Sequence, residues 1–394
     1  MRSFAWTFSI ISILTIMACS KNENPDNNPG NGKTPINLEC SYDSRLSLTN
    51  HNSNGVDYII DCDFYMYSGE LVIEPGTTIQ FNDGASIEIS GTATIRAQGT
   101  AENPIRFTNR GVAAPSWAGL YIATSGIGSS LDHCIIERAG AVQSFGLLNP
   151  TKSSITIENS DIKITNCQIV DFGESGITFL DKGVSSSFSN NSFRNGNGYP
   201  IIIHPYMLNQ TDLSLNTFTN NRNNFIFLDQ SNSTTNNVNV PLTIRKNPIP
   251  YYIAKPTYIA RTSINAGVEM IFGTEGSLVM DTGDAYIEVN GTPSQHVVMR
   301  GENAGEARWG GMVIDGGSDL NVLNYLDMSD GGRSTHDYGN LKGNLKIAGF
   351  NRTKVVANNC TFTRSGACDI VLDISWSEKI FENNNSGNPT VCED

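Results

Sequence analysis

The chain has 394 residues, of which 39% are hydrophobic and 16% charged, with 37 Gly and 15 Pro. That much apolar material excludes a disordered chain and suffices for one large core or two ordinary ones. Lys and Arg total 26 against 39 Asp and Glu, a net charge of −13 with no basic run, so a phosphate backbone is repelled and nucleic acid is disfavoured as a partner.

Residues 1–18 read as an export signal: Arg2 gives a positive start, an apolar stretch covers residues 4–17, and Ala18 is a small residue before Cys19. The stretch is too short to cross a bilayer as an ordinary helix. The segment Ile16-Met17-Ala18-Cys19 resembles the lipobox of bacterial lipoproteins, with Met17 a less usual residue at its position. That resemblance implies cleavage before Cys19 and a diacylglycerol on its sulfur, making the lipid anchor the contact with the membrane. Residues 19–36 then form a lipidated flexible tether, dominated by Asn, Pro and Gly. Within it, Ser20-Lys21-Asn22-Glu23 resembles the surface-export signals of Bacteroidetes lipoproteins, which implies an outer-membrane protein displayed at the cell surface.

With Cys19 acylated, seven of the eight cysteines remain, in a compartment where disulfides persist. Cys40 with Cys62 and Cys368 with Cys392 are candidate clips at the two ends of the folded body. Cys134, Cys167 and Cys360 lie in apolar alternating segments and are expected to be buried free thiols.

From residue 56 onward the chain consists of short alternating strands separated by Gly and Asn, such as Thr78-Ile79-Gln80-Phe81 and Ser86-Ile87-Glu88-Ile89. No window keeps helical spacing, which makes the protein all-β. Asn166-Cys167-Gln168-Ile169, Asn191-Ser192-Phe193 and Asn216-Thr217-Phe218 recur with Ile169, Phe193 and Phe218 spaced 24 and 25 residues apart. Equal spacing predicts stacked coils, a parallel β-helix in which each side chain lies on its counterpart one strand spacing away. Asn suits the bends because it tolerates left-handed backbone.

A longer repeat overlies the first. Gly76 and Phe81 match Gly267 and Phe272 at an offset of 191, Trp117-Ala118-Gly119 matches Trp309-Gly310-Gly311 at 192, and Asn166-Cys167 matches Asn359-Cys360 at 193. The body is therefore a duplication, with a first half over residues 37–237 and a second over 238–394. Pro241, Pro248, Pro250 and Pro256 break the coil pattern at the joint, which leaves open one continuous helix or two abutting ones.

Three segments carry a family resemblance: residues 71–77, residues 99–108 from Gly99-Thr100-Ala101-Glu102-Asn103-Pro104 onward, and Trp117-Ala118-Gly119-Leu120-Tyr121-Ile122. They resemble the right-handed parallel β-helix repeats of bacterial surface lipoproteins, within the pectate-lyase-like superfamily. The resemblance implies the fold and leaves activity open, because that superfamily mixes lyases, hydrolases and adhesins.

Lyases and hydrolases on this fold need clustered acids with a basic residue, or a carboxylate pair across a cleft. Asp132, Glu137, Asp171 and Glu174, with Arg138, fall in adjacent coils of the first half, and Asp327, Asp330, Arg333, His336 and Asp337 crowd one segment of the second. Solvated loop faces explain both groups. In the duplication Asp132 corresponds to Asn324 and Asp171 to Arg364, so the first-half acids have no counterparts. The five histidines lack ligand spacing, and neither metal nor cofactor is implied. Binding competes better: Tyr199, His204, Tyr206, Tyr251, Tyr252 and Tyr338 lie in less regular segments where rings can be exposed among amides. Trp117 and Trp309 each open a strand before a Gly in both halves and read as packing positions. The reading is thus non-catalytic binding of a glycan or a surface partner, with a polysaccharide lyase or glycoside hydrolase as the alternative.

Overall fold

A computed structural model describes residues 34–394 apart from 53–54, 112–113, 141, 143–150, 232–239, 281, 334–341 and 386. Cys19, His336, Asp337 and Tyr338 lie outside the described residues. The body is a parallel β-helix with three strands per coil and no α-helix among the described residues. Its strands are short because each spans one face before the chain bends, and those of successive coils pair in parallel.

Alternation fixes which side chains turn inward. In one inner row, Ile155, Ile177, Ile201, Ile226, Tyr251 and Met270 are stacked in register, all 2% exposed or less. Bends fall where a left-handed residue permits them: Asn166, Asn190 and Asn359 have φ of 56°, 58° and 54°. Asn191 and Asn216, the neighbours that recur in the sequence, do other work. Their amides point inward as a ladder, in which Cys167 N–H donates to Asn191 Oδ1 at 2.9 Å, Asn191 N–H donates to Asn216 Oδ1 at 3.0 Å, and Asn191 Nδ2 donates to Ile164 O at 2.9 Å. The second half repeats the device with Cys360 N–H donating to Asn385 Oδ1 at 2.6 Å. Cys134, Cys167 and Cys360 are buried free thiols beside these ladders.

The two halves belong to one compact unit. Among the described residues five sheets build it, here numbered 1 to 5. Sheet 1 runs from Ile36–Asn37 to Thr217–Thr219, sheet 2 from Ser41–Tyr42 to Thr361–Thr363, and sheet 3 from Leu46–Leu48 to Phe188–Ser189. Sheets 4 and 5 start at Leu242–Ile244 and Pro256–Tyr258. Sheet 2, with 13 strands, crosses the joint without a break, so the helix is continuous.

The copies are nevertheless out of phase. Thr78–Phe81 lies on sheet 1, but its counterpart Glu269–Phe272 lies on sheet 2; Ser86–Gly91 lies on sheet 2, but Ser277–Met280 lies on sheet 5. Each half keeps its internal packing while the second is turned by one face. Trp117 stacks on Phe81 at 4.0 Å and Trp309 on Phe272 at 3.9 Å, both tryptophans are fully buried, and their Nε1 atoms donate to Glu137 O and Ser329 O at 2.9 and 2.7 Å.

Disulfides join Cys40 to Cys62 and Cys368 to Cys392, closing loops of 22 and 24 residues. The second ties the last strand, Val391–Glu393, to the strand Cys368–Leu372. Loop closure of this length contributes about 3 kcal/mol in the chain-entropy view. Because coils touch only their neighbours, Cys392→Ala is expected to fray the C-terminal coil rather than unfold the body. Hydrogen exchange should quicken over residues 368–394 and stay unchanged over residues 58–110; a uniform increase would contradict this.

A candidate binding site at the joint of the two copies

The phase change has a local cost in strands. After Tyr199–Ile203 the chain makes the 3₁₀ turn Pro205–Asn209 where earlier coils place a sheet 3 strand, and the first strand of sheet 4 rests on that turn. One coil further on, Pro256–Tyr258 begins sheet 5, with no strand paired before it among the described residues. A cavity of about 610 Å³ occupies this place. Its walls come from three successive passes of sheet 2 and the residues that follow them: His204 and Tyr206, then Phe227 and Leu228 of the strand Ile226–Leu228 with Asp229 and Gln230 after it, then Lys255, Pro256, Thr257 and Tyr258.

The open edge of Pro256–Tyr258 is closed by one side chain. Gln230 Nε2 donates to Tyr258 O at 2.6 Å, and Tyr258 N–H donates to Gln230 Oε1 at 2.8 Å, the pattern of a paired strand residue. Pro256 has no N–H to offer. The edge is thereby protected from pairing with another chain.

His204 is 4% exposed and its Nδ1 has no hydrogen-bond partner among the described residues. Burial pushes its pKa below the ordinary value, against the raising pull of Asp229 and Asp181, so the ring is neutral at pH 7. It stacks on Tyr206 with 5.7 Å between centroids.

Beside the cavity, on the outer face of sheet 2, four half-buried rings form a stripe. Tyr199 stacks on Phe227 at 5.0 Å and on Tyr252 at 5.9 Å, and Phe225 stacks on Tyr252 at 5.6 Å. Tyr252 Oη donates to Glu302 Oε2 at 3.2 Å. Burial, then the charge of Glu302, pushes the Tyr252 hydroxyl up to about 12 and raises Tyr199 in the same way, so both remain donors at neutral pH. Phe227 belongs to both features: it lines the cavity and stands in the stripe.

The sequence-derived candidates divide accordingly. Tyr199 and Tyr252 stand in the stripe, and His204 and Tyr206 line the cavity. Tyr251 requires correction: it is 2% exposed, in the inner row between Ile226 and Met270, with its hydroxyl donating to Arg245 O at 2.8 Å. Adjacent residues of a strand face opposite ways, so only one of Tyr251 and Tyr252 can be a surface ring. Phe225 and Phe227 were missed, although the pattern Phe225-Ile226-Phe227 flags them, since an inward Ile226 turns both neighbours outward.

The candidate catalytic acids among the described residues do not converge. Asp330 is 1% exposed at a bend with φ of 71°, held by Arg364 Nε at 2.6 Å and Gly305 N–H at 2.9 Å. Burial pushes its carboxyl up, but Arg364, Gly305 and Ser329 outweigh that and hold it below the usual carboxylate range. Asp327 faces His296 Nδ1 at 2.9 Å and accepts from Thr361 Oγ1, while Arg333 is exposed. In the first half, Asp132 accepts from Asn166 Nδ2 and Thr165 Oγ1, both at 2.8 Å, and Glu137 is held by Arg106 at 2.9 Å and Arg138 at 3.2 Å. Asp171 forms a bend with φ of 51°, and Glu174 pairs with Lys152 at 2.8 Å. These acids serve coil corners and coil-to-coil contacts.

No known family description and no curated protein sequence matches the chain. Among solved structures, an alginate lyase from Paenibacillus sp. str. FPU-7 matches at 13% identity and a TM-score of 0.24, over 79% of this chain and 93% of that one.

Proposed function

We propose that the chain is a lipid-anchored outer-membrane protein, displayed at the cell surface through Cys19, whose β-helical body binds a glycan without transforming it. The stripe of Tyr199, Phe225, Phe227 and Tyr252 is the observation that carries this reading. Stacked rings on a rigid sheet offer a strip of apolar surface against which a sugar ring can pack, and they are held in place before the ligand arrives, so little ordering cost is added on binding. Phenolic hydroxyls and Glu302 lie beside them to meet hydroxyl groups. The export signal and the lipobox resemblance support the location. The lyase or hydrolase alternative requires two carboxylates and a base at one point, and the described candidate acids are occupied at separate corners.

A glycan-array screen followed by calorimetric titration tests this. Tyr252→Ala and Phe227→Ala are each expected to weaken binding at least tenfold, the scale of a buried aromatic anchor, about 1.4 kcal/mol or more. Equal affinity in the wild type and in a Phe227→Ala/Tyr252→Ala double variant would refute the assignment, and release of unsaturated sugars from a polysaccharide would favour the lyase.

A further inference from the structure

We infer that the joint cavity is the subsite for a chain end, taking one terminal neutral sugar of the bound glycan with a hydroxyl on His204 Nδ1. The inference rests on the glycan reading above and names which part of the glycan is read, and where.

Four observations converge on it. The cavity is lined by residues of three successive coils, where among the described residues sheet 3 has ended and sheet 5 has just begun, and its 610 Å³ lies within the range of small-molecule sites. Gln230 already occupies the edge of Pro256–Tyr258, so an extended peptide has no backbone groups of Tyr258 to pair with there. His204 Nδ1, in a side chain 4% exposed, lacks a partner among the described residues. A buried polar atom left unpaired is costly, and a sugar hydroxyl satisfies Nδ1 in either tautomer because it both donates and accepts. Finally, Phe227 is shared by stripe and cavity, which gives a glycan one continuous path from the outer face of sheet 2 inward.

Charge selects the sugar class. Asp229 lines the cavity and Glu302 stands on the stripe beside Tyr252, so a uronate entering by this path approaches two carboxylates, with Lys255 exposed at the rim. A neutral hexose or pentose meets no such repulsion.

The test is titration of the full chain with gluco-, manno- and xylo-oligosaccharides of three, six and twelve units, and with oligogalacturonides of the same lengths. The expected stoichiometry for a neutral series is one protein per recognised chain end, whatever the length. His204→Phe, which fills the site but offers no ring nitrogen, should weaken binding at least tenfold, and so should Lys255→Trp, which places a bulky ring at an exposed rim position. Stoichiometry that climbs with length, preference for oligogalacturonides, or undiminished affinity in Lys255→Trp would overturn the end subsite while leaving stripe binding intact. If His204→Phe fails to fold by its melting curve, Lys255→Trp decides alone. Failure of every glycan to bind the wild type would instead bring down the reading on which the subsite rests.

Discussion

Trp309→Ala is expected to destabilise the second half by about 3–5 kcal/mol, the range for emptying a buried aromatic site. Trp309 is fully buried, stacks on Phe272 at 3.9 Å and donates to Ser329 O at 2.7 Å, so truncation opens a cavity and removes a buried hydrogen bond. Trp309→Phe keeps a ring on Phe272 and loses only the donor, which should cost about 1–3 kcal/mol. Trp117→Ala repeats the experiment in the first half, where the partners are Phe81 and Glu137 O. Because coils interact with their neighbours, each variant should quicken hydrogen exchange chiefly in its own half. A Trp309→Ala protein with an unchanged urea midpoint would show that the ring is not a packing element, and would reopen it as a ligand platform.

Asn191→Leu comes second in size, with an expected loss of about 2–5 kcal/mol. Leucine is similar in volume, so the change isolates hydrogen bonding. It strands the Cys167 N–H in the interior, at about 1–3 kcal/mol for an unpaired buried group, and removes the amide donor to the Ile164 carbonyl. Asn191→Asp separates the two halves of the ladder, since a carboxylate can still accept from Cys167 but cannot donate to Ile164 O and brings a buried charge. We expect it to be at least as damaging as leucine. Urea unfolding followed by tryptophan fluorescence measures both, and a leucine variant as stable as the wild type would mean that water replaces the amide at no cost.

Much of the architecture is legible in the amino-acid sequence. The 24- and 25-residue spacing of Ile169, Phe193 and Phe218 is the coil length itself, and the three residues stack in register. The 191–193 offset located both tryptophan sites. What stayed hidden was angular. An offset along the chain preserves the order of strands but says nothing of which face each will occupy, so the phase change between copies had no signature beyond the prolines at the joint. The cavity lies at that phase change, and its walls are drawn from residues 204, 229 and 257, too far apart for any local pattern to connect. The acids misled for a related reason: nearness in sequence placed Asp327 and Asp330 together, yet they serve a sheet face and a buried corner.

Sheet 2 carries 13 strands at a spacing of ~4.8 Å, which gives an unbroken ribbon of roughly 58 Å. Along it, equivalent patches of the two copies look out in different directions. A flat partner lying against one patch therefore cannot meet its twin, and valency does not double with the gene. The notch at the seam is lined from both sides of the joint, by His204 and Asp229 and by Lys255 and Thr257, so a property absent from either copy alone can arise there.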